Sequence, residues 1–405
     1  MMKIKEVRSL EQLQDLEPAW SALLARSGAA SPFLTFEWID AWWRSFRNGG
    51  DESTTRDGMR VVVAESGGEP IAIAPLMMTE RSFLGTRLTV VGNIANDHSF
   101  RSGLIVADPA GEALPAMLDH VRSTMGRWDV ISLCYLDREH ADRVGLRDAL
   151  SSHGGWVGEM PSWRSPYVPV NQSWDDYFAT IGSGTRSSIR RKRRKLERMP
   201  GFEIREVTDA TSPEALEAIF EVDRNSWQYA NRSGLSSESS TRQFYGRIAR
   251  QATRRGWFHG YLLRVSGRPV AYEFNLQYDG VLYNLKLGYD SEYARYSPGL
   301  VLRHEVLKSA FGRGLREIDF LGVEDAYKLS WTNHVREHLD LHVCNPSSLK
   351  AVAFYGFNFK LRSTLKRIRP VQSLVRGARS LAARRGGRPE RPGGDPGDRK
   401  ACGPA

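Results

Sequence analysis

Between Gly256 and Trp331 the hydrophobic positions change from a period of two to helical spacing and back again. Residues 257–265, 270–278 and 281–289 are β-branched and aromatic runs with two-residue alternation. They are separated by Ser266-Gly267-Arg268-Pro269 and Asp279-Gly280, both tight-turn sequences. The pattern predicts a meander of three antiparallel strands. After Tyr296-Ser297-Pro298-Gly299 the apolar residues Leu300, Val301, Leu302, Val306, Leu307, Ala310 and Phe311 predict a helix, with Ser297 as its N-cap and Pro298 in its first turn. A further strand ends in Asp319-Phe320-Leu321-Gly322, and Glu324, Asp325, Tyr327 and Lys328 open the next helix. A helix start that follows a strand presents backbone N–H groups and the positive end of the helix dipole, so the segment around Ser297 is a candidate anion site.

The same pattern occurs earlier in the chain. Gly68-Glu69-Pro70-Ile71-Ala72-Ile73-Ala74 corresponds to Gly267-Arg268-Pro269-Val270-Ala271-Tyr272-Glu273, and each follows a hydrophobic strand. Residues 88–92 then match 284–288, and 126–133 match 314–321. Three correspondences in one order argue for two copies of a single α/β unit. They place an N-terminal domain at 1–165, a C-terminal domain at 166–370 and a tail at 371–405. The first copy lacks the Ser-Pro-Gly helix start and has Leu136-Asp137-Arg138-Glu139-His140 where the second has its Tyr-Lys pair, so the first is expected to be degenerate, without a cofactor loop.

Composition narrows the class. A hydrophobic fraction of 41% in 405 residues suits two globular domains. No apolar run approaches the roughly 20 residues that span a bilayer, and the N-terminus lacks a signal-peptide pattern, so no transmembrane segment and a cytoplasmic address are expected. Three scattered cysteines and nine histidines without HExxH spacing give no metal motif. The net charge of +10 comes from local runs: residues 186–198 and 360–369 and the Gly/Pro/Arg-rich tail are strongly basic, and the remainder is net acidic. The tail is expected to be disordered. Helical residues 185–199 allow three readings: a solvated face, a contact for an anionic substrate or coenzyme phosphate, and a nucleic-acid arm. In 32–46, Phe33, Phe36, Ile39, Trp42, Trp43 and Phe46 form a wide apolar helix face that predicts core packing.

The 256–331 order resembles the core of the GNAT acyltransferases, in which the fourth strand leads into an Arg/Gln-x-x-Gly-x-Gly/Ala loop that cradles the pyrophosphate of acetyl-coenzyme A. Arg295 and Gly299 are what is left of that loop; its glycine pattern is incomplete, with Ser297-Pro298-Gly299 in its place. Asp319-Phe320-Leu321-Gly322 followed by Tyr327, Lys328 and Trp331 resembles the CelD/BcsL-type acetyltransferases associated with cellulose and other envelope polysaccharides. It is also similar to the Fem-type aminoacyl transferases, which carry an Asp-Phe-x-Gly element and a lysine on the helix after it. With Pro32-Phe33, Trp38, Trp42, Trp43 and the 186–198 run, the resemblance covers most of 1–370. It implies tandem GNAT-like α/β (α+β) domains with mixed, mostly antiparallel sheets flanked by helices. It further implies acetyl-coenzyme A or another acyl-CoA as donor without a metal, met by Arg295, Ser297, Gly299 and Leu300. An amine or amino-sugar acceptor is expected near Asp290, Glu324 and Arg190, and Asp290, directly after the 281–289 strand, either binds the amine or caps the turn.

Such a transfer needs a deprotonated amine, a polarised carbonyl and a proton for the leaving thiolate. Glu273 is a candidate base, directly or through water, or else an outward-facing strand carboxylate. Tyr327 stands where many GNAT enzymes place the proton donor. By resemblance to the Fem-type lysine, Lys328 points into the cleft, held by Asp319 or Glu324; the alternative is a structural Asp-Lys pair. Two other functions stay open: a Fem-like transferase using aminoacyl transfer RNA, and a non-catalytic scaffold for polysaccharide synthesis. No DNA partner is expected.

Overall fold

The structure, a computed structural model, describes residues 2–47, 58–107, 112–152 and 154–361. The expected disordered tail, 371–405, lies outside them. Besides the two-residue strands Gly58–Met59 and Ile105–Val106, the strands in chain order are β1 (Lys3–Val7), β2 (Val61–Ser66), β3 (Glu69–Ala74), β4 (Leu76–Phe83), β5 (Thr86–Asn93), β6 (Val130–Asp137), β7 (Trp156–Pro169), β8 (Glu203–Val207), β9 (Phe258–Val265), β10 (Arg268–Tyr278), β11 (Val281–Tyr289), β12 (Glu317–Asp319) and β13 (Val335–Cys344). The helices that matter below are α1 (Phe36–Phe46), α2 (Ala113–Thr124), α3 (Ser183–Glu197), α4 (Pro213–Arg224), α5 (Ser239–Arg254), α6 (Pro298–Gly312) and α7 (Ala326–Leu329).

The described residues form two compact units, one within 1–29, 51–163 and 337–405, the other within 30–50 and 164–336. The units are therefore not laid out in series, as the division at 165/166 expects. Residues 30–47 join the second unit because the aromatic face of α1 packs on α5: Trp38 is fully buried with its ring 5.0 Å from that of Phe244, and Phe33 lies 5.8 Å from Tyr283. Burying a side chain of that size stabilises by about 1.5–3 kcal/mol. Glu37 and Asp40 on the same helix meet Arg255 and Gln251. The chain from Glu337 returns to the first unit because β6, buried along nearly its whole length, takes β13 as its antiparallel neighbour.

In the second unit the order is β8-β9-β10-β11-β12-β7, antiparallel except for the parallel pair β11 and β12. The first unit repeats that order as β1-β2-β3, then β4-β5-β6-β13, with β5 and β6 parallel. The strand that is continuous as β10 is broken here into β3 and β4 at Pro75, a residue with no N–H to give a ladder. The first core gathers Val62, Val91, Ile131 and Leu341 around Met117 and Val121 of α2. The second gathers Val270, Leu282 and Ile318 beneath Val301, Val306 and Leu307 of α6, with Ile189 and Leu196 of α3. This architecture is a mixed, mostly antiparallel sheet flanked by helices in each unit.

Candidate functional site

Glu273 and Asn275 lie two residues apart on β10 and so share one face. Opposite them β11 carries a bulge: Phe274 pairs with Lys286 and Asn275 with Asn284, leaving Leu285 as the extra residue. Asn284 donates to Asn275 at 2.6 Å and to Glu273 at 3.3 Å, and accepts from Arg303 of α6 at 2.7 Å. Arg303 Nε stands 3.0 Å from Glu273 Oε1, an ion pair rather than an aligned hydrogen bond. All four side chains are buried. Burial raises Glu273 to about 7, although the charge of Arg303 pulls the other way.

Sequence reasoning missed Arg303, and a signal was available. It follows Leu300 by three residues and precedes Leu307 by four, so it falls on the apolar face of α6 and a buried partner for its charge is required. Around this network several buried polar atoms have no hydrogen-bond partner among the described residues: Arg303 Nη1, Asn275 Nδ2, Tyr327 Oη and Trp331 Nε1. The Tyr327 hydroxyl lies within the electrostatic reach of Arg303 and Glu273, and burial pushes it up to about 12.

Asp319 and Lys328 act on the turn that ends β12. Asp319 accepts the Leu321 N–H at 2.8 Å, holding Leu321 at φ 52, and pairs with Arg336 at 2.9 Å. Lys328 donates to the carbonyls of Leu321 at 2.7 Å and Val323 at 2.8 Å, with the Asp325 carboxylate 3.8 Å away. Its holders are thus two carbonyls and Asp325, not the expected Asp319 or Glu324; Glu324 is engaged by Arg164 at 2.9 Å. Burial lowers Lys328 to about 8, against the pull of Asp325.

The parallel pairing of β11 with β12 covers only Val281–Tyr283 against Glu317–Asp319. From Asn284 to Tyr289, β11 runs on without β12 beside it, so the two strands part and one edge of β11 is left open toward the start of α6. Asp290 caps the 3-10 turn Ser291–Tyr296 by accepting the Glu292 N–H at 2.9 Å, and is buried in that role. The Arg295 guanidinium lies over the Tyr296 ring, and its carbonyl accepts from Lys192.

Ser297 makes no side-chain cap, contrary to expectation. It takes the left-handed conformation (φ 50, ψ 55), and its carbonyl accepts the Leu300 N–H. Gly299 is buried where a Cβ would lie 3.3 Å from the Tyr289 ring, and Leu300 packs on the core. On α3, Arg190 is exposed and Arg193 joins Glu305 of α6. His304 is half-buried with its ring 5.1 Å from Trp174.

In the first unit the corresponding gap is filled by the chain itself. After the parallel pairing of Val90–Gly92 with Val130–Ser132, Asn93 accepts the Cys134 N–H at 2.9 Å. Ser102 then bridges to Leu136, donating its N–H to the Tyr135 carbonyl at 3.0 Å. Asp97 accepts from the Tyr135 hydroxyl at 3.3 Å.

The family described as Acetyltransferase (GNAT) domain matches residues 183–329, which include the network, the open β11 edge and the α6 start. The protein thus carries a GNAT-fold acetyltransferase domain. The solved structure of FemX is similar in fold at 12% identity, with a TM-score of 0.58 over 88% of this chain and 99% of that one. The C-terminal domain ascribed to a lysylphosphatidylglycerol synthetase of Agrobacterium fabrum is similar at 12% identity, with a TM-score of 0.51 over 84% and 95%. No curated protein matches the sequence. Among the described residues no helix is long and apolar enough to cross a membrane.

Proposed function

We propose that the second unit is an acyl-CoA-dependent N-acyltransferase. The observation that carries this reading is the parting of β11 from β12 beside the buried Glu273–Arg303 network and the Tyr327 hydroxyl. The open edge of β11 offers backbone groups to the amide-rich arm of the coenzyme, and the α6 start with Arg295, Ser297, Gly299 and Leu300 faces its pyrophosphate. The first unit, whose gap is closed by Asn93 and Ser102, takes no coenzyme in this reading.

In the reaction the acceptor amine attacks the thioester carbonyl. Its proton passes through water to Glu273, whose pKa near 7 suits a base at neutral pH. The carbonyl becomes a tetrahedral oxyanion, and Arg303 Nη1 supplies positive charge close by. Collapse breaks the carbon–sulfur bond, and Tyr327 protonates the departing thiolate. Lys328 and Asp319 act by holding the turn that presents Tyr327.

The acceptor we favour is an amino sugar or a similar envelope or polysaccharide precursor of the CelD/BcsL type, met by Asp290, Glu324 and Arg190 in the cytoplasm. A second reading, a Fem-like transferase fed by aminoacyl transfer RNA, is favoured by the exposed basic side chains of Arg190, Arg191, Arg194 and Lys195 on α3. Calorimetry with acetyl-coenzyme A tests the first. Binding that is weakened by Gly299→Val is expected, and no binding at millimolar ligand overturns it.

A further inference from the structure

The first unit holds a feature that acyl transfer leaves unused. Beside Thr89 of β5 and Asp129, just ahead of β6, lies a cavity of about 1040 Å³ whose wall includes Arg8, Arg60, Arg127 and Lys350. Four cations on one concave surface repel one another unless anions intervene. Glu6 supplies part of the compensation, 2.8 Å from Arg8 and 3.3 Å from Arg60. The Asp129 carboxylate is engaged by the Thr89 N–H at 2.7 Å and by the Ser348 hydroxyl. Arg127 and Lys350 have no ion pair among the described residues. The Lys350 ammonium is steadied by the Arg87 carbonyl at 2.8 Å.

Counting four cations against Glu6 and Asp129, the site keeps an excess of positive charge. Arg60, only 18% exposed in its side chain, gives up part of its hydration to stand there, and burial together with the neighbouring Arg8 lowers its pKa. The C-terminal end of α2 reaches the same wall and contributes a partial negative charge, roughly half an elementary charge, which does not cancel the excess. The volume is at the upper end of small-molecule sites and far exceeds that of an inorganic ion.

We propose that this cavity binds a phosphorylated organic ligand of nucleotide size, its phosphates met by Arg60, Arg127 and Lys350. Phosphate esters carry the two or more negative charges that balance the excess, and the planar guanidinium fork matches their oxygens. The site is independent of the acyl-transfer reading, since it lies wholly in the unit whose strand gap is closed.

Titration calorimetry of the full-length protein with ADP, pyrophosphate and orthophosphate tests it. ADP is expected to bind with submillimolar affinity and orthophosphate about tenfold or more weaker. Arg127→Gln and Lys350→Gln each weaken ADP about tenfold by removing one charge-assisted contact. Both substitutions change exposed side chains, so folding is preserved. Absence of ADP binding at millimolar ligand, or binding that survives the double substitution, overturns the proposal. Co-sedimentation with phosphatidylglycerol vesicles, lost in the double variant while ADP gives no heat, assigns the anion to a lipid headgroup and likewise overturns a soluble ligand.

Discussion

Arg303 of α6 reaches across to β10 and stands 3.0 Å from Glu273, with neither side chain more than 2% exposed. Even so, burial outweighs the arginine and raises Glu273 from 4.5 to about 7. A carboxyl whose folded pKa is raised favours folding most when protonated; that contribution is complete below about 4.5 and is lost as pH climbs through about 7. Relative to Glu273→Gln, the protein should therefore lose on the order of 3 kcal/mol of unfolding free energy over this window. Urea denaturation of both proteins across the window checks it, and parallel curves exclude a raised Glu273.

Tyr327→Phe separates chemistry from stability. The hydroxyl is buried without a hydrogen-bond partner among the described residues, so its removal should change stability by less than about 0.5 kcal/mol. If it protonates the thiolate, kcat should fall about 10²–10⁴-fold. Unchanged kcat in a coenzyme A release assay removes Tyr327 from the mechanism.

Lys328→Met keeps the aliphatic stem but takes two hydrogen bonds from the Leu321 and Val323 carbonyls. A loss of about 1–3 kcal/mol is expected, together with a drop in turnover as the turn carrying Tyr327 loosens. Wild-type turnover should decline above about pH 8, where Lys328 loses its proton. A Met variant of full stability would show that the two carbonyl bonds do not hold this turn.

Ser297 occupies the left-handed region without a compensating cap. Ser297→Gly should raise stability by about 0.5–1 kcal/mol, since glycine adopts that backbone without a Cβ penalty. Thermal unfolding measures it, and a lower midpoint would place a stabilising role on the hydroxyl.

Much of the second unit was legible from local pattern. Two-residue alternation with Asp279-Gly280 between runs located β10 and β11, and β11 is found at Val281–Tyr289 as read. The start of α6 followed from Pro298, but the role of Ser297 did not: side-chain preference names a cap, whereas the preceding 3-10 turn forces that residue into the left-handed region. Arg303 was readable from its place between Leu300 and Leu307, yet its partner was not, because Glu273 lies thirty residues away on another element.

By itself the sequence determined the elements and their repetition, because periodicity, turn residues and proline placement act over a few residues. Only the tertiary structure decided which strands complete each sheet, that residues 30–47 pack with the second unit, and that Glu273, Asn275, Asn284 and Arg303 meet in one buried network. Those choices are made by the need of buried strands and buried charges for partners, and such partners are found by proximity in space rather than along the chain.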